Sequence, residues 1–479
     1  MTLTLYVLLV AGIAILYLWR SRIERRPLPP GPPKDPLIGH LRYMPTAQAP
    51  FVFHEWAKTY GDVIHLQVLG KSMIVLDTLQ AAVDLLDKRG SIYSDRPPLP
   101  LYELLGWTYM LSFMRYGEIF PRHRQVHQSF FSRQRCAEFE PMQTQEARRL
   151  VTNLFASPTE KYGAVLSKFT TSILVQVVAG HKIDSNDDPY LELSKMVYQV
   201  FSVTGPPGGT PIDFFPPLRY FPSWFPGAYY AGVARAWKPV VRKLYDYPLE
   251  CVQRQRATGD ASPSFLLSQL EEIDNNASEL DYEELKGAAA TLFGAELPTR
   301  SAVAVFLLAM VLNPECQIRA QKEIDSVVGT SRFPTFEDRA ELPFIECILQ
   351  ETLRQAFHYA GVPHRSTQDD VYRGMYIPKG SLIFANVRGM SLDESTYKNP
   401  TKFIPERFLL PPLGNGELHF SCLFGFGRRL AKCPAVHFVE RNLWIAIVSI
   451  LATCTISNAL DEHGNVIIPE ASMSDGVDR

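Results

Sequence analysis

Seventeen uncharged residues near the amino terminus, Leu3 to Trp19 (LTLYVLLVAGIAILYLW), constrain this chain more than any other stretch. A run this apolar has no stable place in water. It either spans a hydrocarbon core as a helix, at the short end of the roughly 20 residues needed, or it is cleaved away. Arg20, Arg22, Arg25 and Arg26 follow it directly. Cationic flanks stay on the cytoplasmic side, so the residues before the run are expected in the lumen and everything after it in the cytosol. A secretory signal would carry charge before the run and a small-residue cleavage site after it. Here the charge follows and PLPPGPP comes next, which favours a retained anchor over cleavage. That cluster, Pro27 to Pro33, cannot continue a helix and tends to an extended spacer. The expected division is an anchor over 1–20, a basic and proline-rich hinge over 21–34, and a body over 35–479.

The chain has 479 residues, enough for about three average domains or one large one. Forty-eight Lys and Arg against 50 Asp and Glu give a net charge of −2 and no global field for a nucleic-acid backbone, so no nucleic-acid partner is expected. With 46% hydrophobic and 20% charged residues the body is folded rather than disordered. The seven cysteines form no CxxC pair. Odd in number and widely separated, they suggest neither a disulfide framework nor a zinc module, and fit a reducing compartment.

Along the body, the residue patterns predict a short helix over 51–60 and a hairpin over 62–77 around Gly70-Lys71. They predict further helices over 78–88 (capped by Thr78), 118–131, 137–156 and 160–179. Residues 205–230 form a Pro-, Gly- and aromatic-rich interruption. A long helix is expected over about 280–312, stopped by Asn313-Pro314, with helices over 314–328 and 342–356 and a β-rich patch over 362–385. No repeat is found. The body reads as one mainly α unit with a small β-rich part.

The most informative stretch is FGFGRRLAKCPAVHFVERNLW, Phe424 to Trp444. A glycine-rich turn with three cations leads to Cys433-Pro434 and an apolar helix, placing one cysteine at a helix amino terminus. Positive charge and the helix dipole favour its thiolate, the form that binds iron or attacks electrophiles. An inert buried thiol is the alternative, and it is the expected state of the other six cysteines. Upstream lie Glu351-Thr-Leu-Arg354, an i,i+3 ion pair on a helix, and Pro405-Glu-Arg-Phe408 in a proline-bounded loop.

The ordered set GVPHR (361–365), Glu351xxArg354, PERF and FGFGRR with its following Cys-Pro resembles the cytochrome P450 family, in particular membrane-anchored fungal members. The likeness covers essentially the whole chain, including the anchor, the hinge, the early hairpin, the Phe120xxxArg124 segment and the long central helix. It implies a mainly α P450 fold and haem b, iron protoporphyrin IX, with Cys433 as proximal thiolate ligand of the iron. It implies propionate contacts from Arg124, His364 and, more weakly, Arg429, and a charge triad of Glu351, Arg354 and Arg407 that fixes the haem-proximal loops. The reaction implied is insertion of one oxygen atom from O2 into an apolar small molecule, plausibly a fungal secondary metabolite, in the endoplasmic reticulum membrane. Electrons would come from NADPH through cytochrome P450 reductase, steered by Arg428, Arg429 and Lys432. The aromatics of 214–230 match either a lid facing the bilayer or a packed proline-rich loop.

Several positions depart from the family pattern. Leu430-Ala431-Lys432 place two extra residues before Cys433, and Ala435 replaces a glycine. In the central helix, GAELPT (294–299) offers Glu296 as the distal acid, but Leu297 takes the place of the proton-relaying threonine. Thr299 substitutes for it only if the helix shifts register. Pro298 should kink that helix at a cost of about 3 kcal/mol unless the site already bends. Phe120 replaces a tryptophan, and the usual carboxyl-terminal hairpin is expected to be missing. These departures leave two rival readings: a non-catalytic homologue, or a haem protein that rearranges or dehydrates its substrate without external electrons.

Overall fold

The computed structural model describes residues 27–469, apart from 159–160, 206, 357–361 and 428–432. The expected anchor over 1–20 lies outside the described residues, as do the first six residues of the hinge. The rest of the hinge is a strap laid on a sheet. The Pro30 carbonyl accepts the His65 N–H at 2.8 Å, and the Pro27 carbonyl accepts that of Tyr376 at 2.8 Å. A Cβ on Gly31 would meet the His65 carbonyl oxygen at 2.1 Å, so the strap lies this close only because that residue is glycine.

Helix α1 (Ala49–Tyr60) precedes strands β1 (Val63–Val68) and β2 (Lys71–Leu76), which form the predicted hairpin with Ile64 opposite Val75. Its turn is centred on Leu69-Gly70, both at positive φ, one residue earlier than the sequence suggests. The 362–385 patch supplies β3 (His364–Arg365), β4 (Asp370–Tyr372), β5 (Met375–Ile377) and β6 (Leu382–Ala385). Strand β6 joins β2 in parallel and β3 closes the far edge, giving the order β1-β2-β6-β3.

The remaining mass is helical. Helices α2 (Ile119–Phe130), α3 (Glu140–Ala156) and α4 (Tyr162–Ala179) match their predicted positions. Helix α5 (Pro189–Thr204) ends at the aromatic-rich interruption, whose described residues up to 228 hold a helical turn at Pro211–Phe214 and a 3₁₀ turn at Pro216–Tyr220. Helix α6 (Tyr229–Thr258) runs 30 residues despite internal Pro239 and Pro248, and α7 (Phe265–Asp274) follows.

The long central helix is two helices. Helix α8 (Tyr282–Gly294) and helix α9 (Glu296–Leu312) meet at Ala295. Pro298 therefore stands third in α9, where an N–H would have no intrahelical acceptor, so its ring removes no hydrogen bond. Helices α10 (Pro314–Val327), α11 (Pro343–Ala356) and α12 (Val436–Thr453) complete the set. Helix α12 is buried over nearly its whole length and packs against α3, α9, α10 and α11. Among the described residues, α4, residues 282–312 and α12 are long and apolar enough to cross a membrane, but their side chains form the main core. A two-stranded hairpin, β7 (Ala459–Leu460) and β8 (Val466–Ile467), follows α12 with both strands exposed.

A four-membered ion network ties α6 to α8. Arg242 bonds Asp246 and reaches Glu283 at 2.7 Å, while Lys286 reaches Asp246 at 2.8 Å and Glu283 at 2.7 Å. Hydrogen bonds from Arg242 and Lys286 hold the Glu283 carboxyl down at about 2. A depressed folded value means the stabilisation is complete above the ordinary value of 4.5 and is lost as pH falls toward 2. Thermal melts should show Arg242→Ala below wild type at neutral pH, with the gap narrowing through that acidic window. A gap independent of pH would contradict the assignment.

Candidate active site

The loop that carries Cys433 leaves a 3₁₀ turn at Ser421–Phe424 and turns on Gly425 and Gly427, both at positive φ. A Cβ on Gly427 would meet the Leu86 carbonyl oxygen at 2.5 Å, and its N–H donates to Asp87. The loop closes where the Cys433 N–H donates to the Phe424 carbonyl at 2.9 Å. Residues 428–432, including Arg429, lie outside the described residues.

Cys433 sits two residues before the cap of α12, and the Ala435 N–H is aimed at its sulfur. Burial pushes the thiol up, while the Ala435 N–H and the charge of Arg124 favour the thiolate. Arg124 comes from α2, is itself buried, and is pushed down by that burial while the cysteine opposes the shift. One turn later on α2, His127 is held by the His123 carbonyl at 2.7 Å and the Ala288 carbonyl at 3.1 Å, which fixes α2 against α8.

His364 reaches the same neighbourhood from β3. Its Nδ1–H donates to the Tyr93 carbonyl at 2.8 Å, and residues 86 and 94 also flank Gly427 of the cysteine loop. Arg96, two residues beyond Ser94, is fully enclosed and donates to the carbonyls of Ser112 (3.1 Å), Val362 and Pro363 (3.0 Å). The sequence reading omits it. Asp95-Arg96-Pro97 carries no marker of burial, and two of its acceptors, Val362 and Pro363, lie far along the chain.

Glu351, Arg354 and Arg407 meet as the motifs imply. Arg354 binds Glu351 through two hydrogen bonds of 2.8 and 2.7 Å, and Arg407 Nε lies 3.2 Å from the same carboxylate. The cluster is larger than a triad. Glu417 pairs with Arg407 at 2.7 Å, which makes two cations and two anions. Arg354 also donates to the Ser391 carbonyl at 2.6 Å, Arg407 to that of Lys398 at 2.8 Å, and the Ile404 N–H to Glu351 at 3.0 Å. Both guanidinium groups stack on Tyr397, at 5.2 and 5.9 Å.

The two distal candidates separate. Thr299 is buried in the first turn of α9. Glu296, the first residue of that turn, accepts hydrogen bonds from Thr170 (3.0 Å) and Thr171 (2.6 Å) on α4 and from Ser194 (2.8 Å) on α5. Burial pushes its carboxyl up, and the three hydroxyls together with Arg300 oppose the shift. Both of its oxygens are thus taken by α4 and α5. The sequence cannot show these partners, which lie more than a hundred residues away.

A single thiol with an amide directed at it suits a metal that brings its own equatorial ligands. Among the described residues no group of three or more His, Cys, Asp or Glu could hold a bare ion. Buried cations such as Arg124 suit the acidic edge of such a group. The residues present therefore fit a thiolate-ligated haem.

Known proteins agree with this chemistry. The model of the cytochrome P450 family matches residues 29–467. The chain is similar to cytochrome P450 monooxygenase claR of Ampulloclitocybe clavipes, at 38% identity over 97% of this chain and 87% of that protein. It is 35% identical to a cytochrome P450 monooxygenase of Armillaria gallica, over 98% of this chain and 93% of the relative. Cytochrome P450 monooxygenase COX2 of Coprinopsis cinerea is 36% identical over 95% and 88%.

Removing one cation from the ion cluster leaves charge stranded in the interior. Arg354→Met should cost about 3–5 kcal/mol, because Glu351 has no exposure over which to recover hydration. Denaturant unfolding should show this as a lowered midpoint. A loss within the error of wild type would mean that the cluster is not coupled to folding.

Proposed function

The chain belongs to the cytochrome P450 family and is a haem-thiolate monooxygenase, and from that premise we propose how its own residues serve the reaction. Cys433 supplies the proximal sulfur. The observation that carries this reading is the Ala435 N–H aimed at Sγ with the Arg124 charge acting on the same atom. An amide and a cation that stabilise a thiolate also limit how much electron density it donates, which tunes the metal it binds. Arg124 and His364, and more weakly Arg429, would hold the propionates of haem b. When bound, the haem supplies the activation of O2 and the transfer of one oxygen atom to substrate.

The Glu351–Arg354–Arg407 cluster keeps the proximal loops in place, with Glu417 completing its charge balance. On the distal side the proton duty falls to Thr299, buried in the first turn of α9. Glu296 belongs to the same wall, with its carboxyl held by hydroxyls.

The substrate is an apolar small molecule, in a secondary-metabolite setting. The enzyme works at the endoplasmic reticulum membrane, tethered by residues 1–20, and takes electrons from NADPH through cytochrome P450 reductase. The membrane side is supported by a run of exposed aromatics, Phe215, Tyr220, Trp224 and Tyr229. Lys71 ties this segment to the hairpin turn by donating to the Asp213 carbonyl at 2.6 Å, and exposed Leu69 stands beside that lysine. Aromatic rings with polar edges suit the bilayer interface.

The test is spectroscopic. The reduced, CO-bound protein should show the red-shifted Soret band of thiolate ligation, absent in Cys433→Ala, and NADPH oxidation should require the reductase. A wild-type protein purified with haem supplied but lacking that band would overturn the reading.

A further inference from the structure

We propose that the cavity between α3, α4 and the 180–188 connection is a binding site for a small zwitterion, an α-amino acid with an apolar side chain. The cavity holds about 270 Å³, just under the roughly 300–1,000 Å³ of sites that take drug-sized ligands. None of its lining residues belongs to the surroundings of Cys433, so the inference goes beyond the monooxygenase reading and does not depend on it.

Two charges that line the cavity are incompletely matched by the fold. Glu146 on α3 is only 4% exposed. Its Oε1 accepts from Arg149 at 3.1 Å, while its Oε2 has no hydrogen-bond partner among the described residues. A buried carboxylate oxygen without a donor is costly, and a ligand N–H removes that cost. Lys168 on α4 is the complementary case. Its ammonium donates to the neutral Asn186 side chain at 2.8 Å and forms no ion pair among the described residues. The remaining charges cancel locally: Arg149 bridges Glu146 and Asp184, the latter at 3.4 Å, and Lys182 lies 3.8 Å from Asp184.

An acceptor for an ammonium and a cation for a carboxylate therefore line one cavity, with Leu150, Phe169 and Ile183 as its apolar wall. A bare anion would match Lys168 alone, and a bare cation Glu146 alone. In an amino acid the two charges flank one carbon and the side chain is left for the apolar wall. The flexible stem of Lys168 lets its ammonium follow the carboxylate. Burial pushes the Glu146 carboxyl up, opposed chiefly by Arg149 and Lys182, and a bound ammonium adds to that opposition. Phe169 and Ser172 of the lining flank Thr170 and Thr171, whose hydroxyls hold Glu296, so an occupant bears on the part of α4 that supports α9.

Calorimetric titration of the full-length protein with L-leucine tests this. Saturable binding is expected. N-acetyl-L-leucine, which lacks the ammonium, and L-leucinamide, which lacks the carboxylate, should each bind about tenfold or more weakly, as the loss of one charged contact implies. Glu146→Gln, which keeps an acceptor for Arg149, and Lys168→Met should weaken L-leucine binding to the same degree. Lys168 makes only an exposed hydrogen bond, so its variant decides the matter if Glu146→Gln does not fold. Bound L-leucine should also slow amide exchange across 180–186 and leave 343–356 unchanged. No saturable binding, equal binding of either blocked analogue, full affinity in Lys168→Met, or binding without slower exchange across 180–186 would overturn the proposal. A wild-type protein without the carbonyl band would sink the monooxygenase reading instead and leave the titration to decide this one.

Discussion

The ion cluster around Glu351 is the contact on which the rest of the architecture leans. Helix α11 carries Glu351 and Arg354 into the interior, and the segment from Ser391 to Glu417 wraps around them through carbonyls, an amide, one further arginine and one further acid. The segment has little regular structure of its own, so buried charge replaces a helix or sheet as the element that holds it. The gain is geometric. A fork of N–H donors accepts only a narrow range of acceptor directions, which a purely apolar contact would not enforce. Four residues after Glu417 the chain enters the turn that leads to Cys433, so the position of the sulfur descends from this cluster.

At that sulfur two constraints meet from opposite ends of the sequence. Helix α12 presents its amino terminus from the carboxyl-terminal side, and α2 presents Arg124 from the other. Burial alone would favour a neutral thiol, while the amide and the guanidinium pull toward charge. On the proposed reading the site keeps both effects because a ligand sulfur would need shielding from water as well as electrostatic support. Membership in the cytochrome P450 family gives this arrangement its chemical purpose.

What could be read from the sequence divides by range. The hairpin, the helices with regular apolar spacing, and the Glu351xxArg354 pair were legible because their determinants lie within a few residues of one another. The partnership of that pair with Arg407 was legible only through the family resemblance. Glu417 escaped notice because nothing local marks it. Helix α6 is obscured by Pro239 and Pro248, since local propensity argues against a helix that tertiary packing nonetheless sustains. Glu296 shows the same limit at the site. Its chemical type was visible, but its direction depends on hydroxyls from two other helices.

The interruption at Ala295 has a consequence for how such a sequence can vary. In an unbroken helix, one inserted or deleted residue rotates everything beyond it by about 100°, which would carry every downstream core side chain out of place. With α8 and α9 joined by a bend, each half keeps its own angular setting, α9 through Glu296 and Arg300 and α8 through its packing against α2. The junction can absorb a change of length or an odd residue such as Pro298 without disturbing either neighbour. It is an expansion joint, and substitutions there can accumulate while the walls on both sides stand.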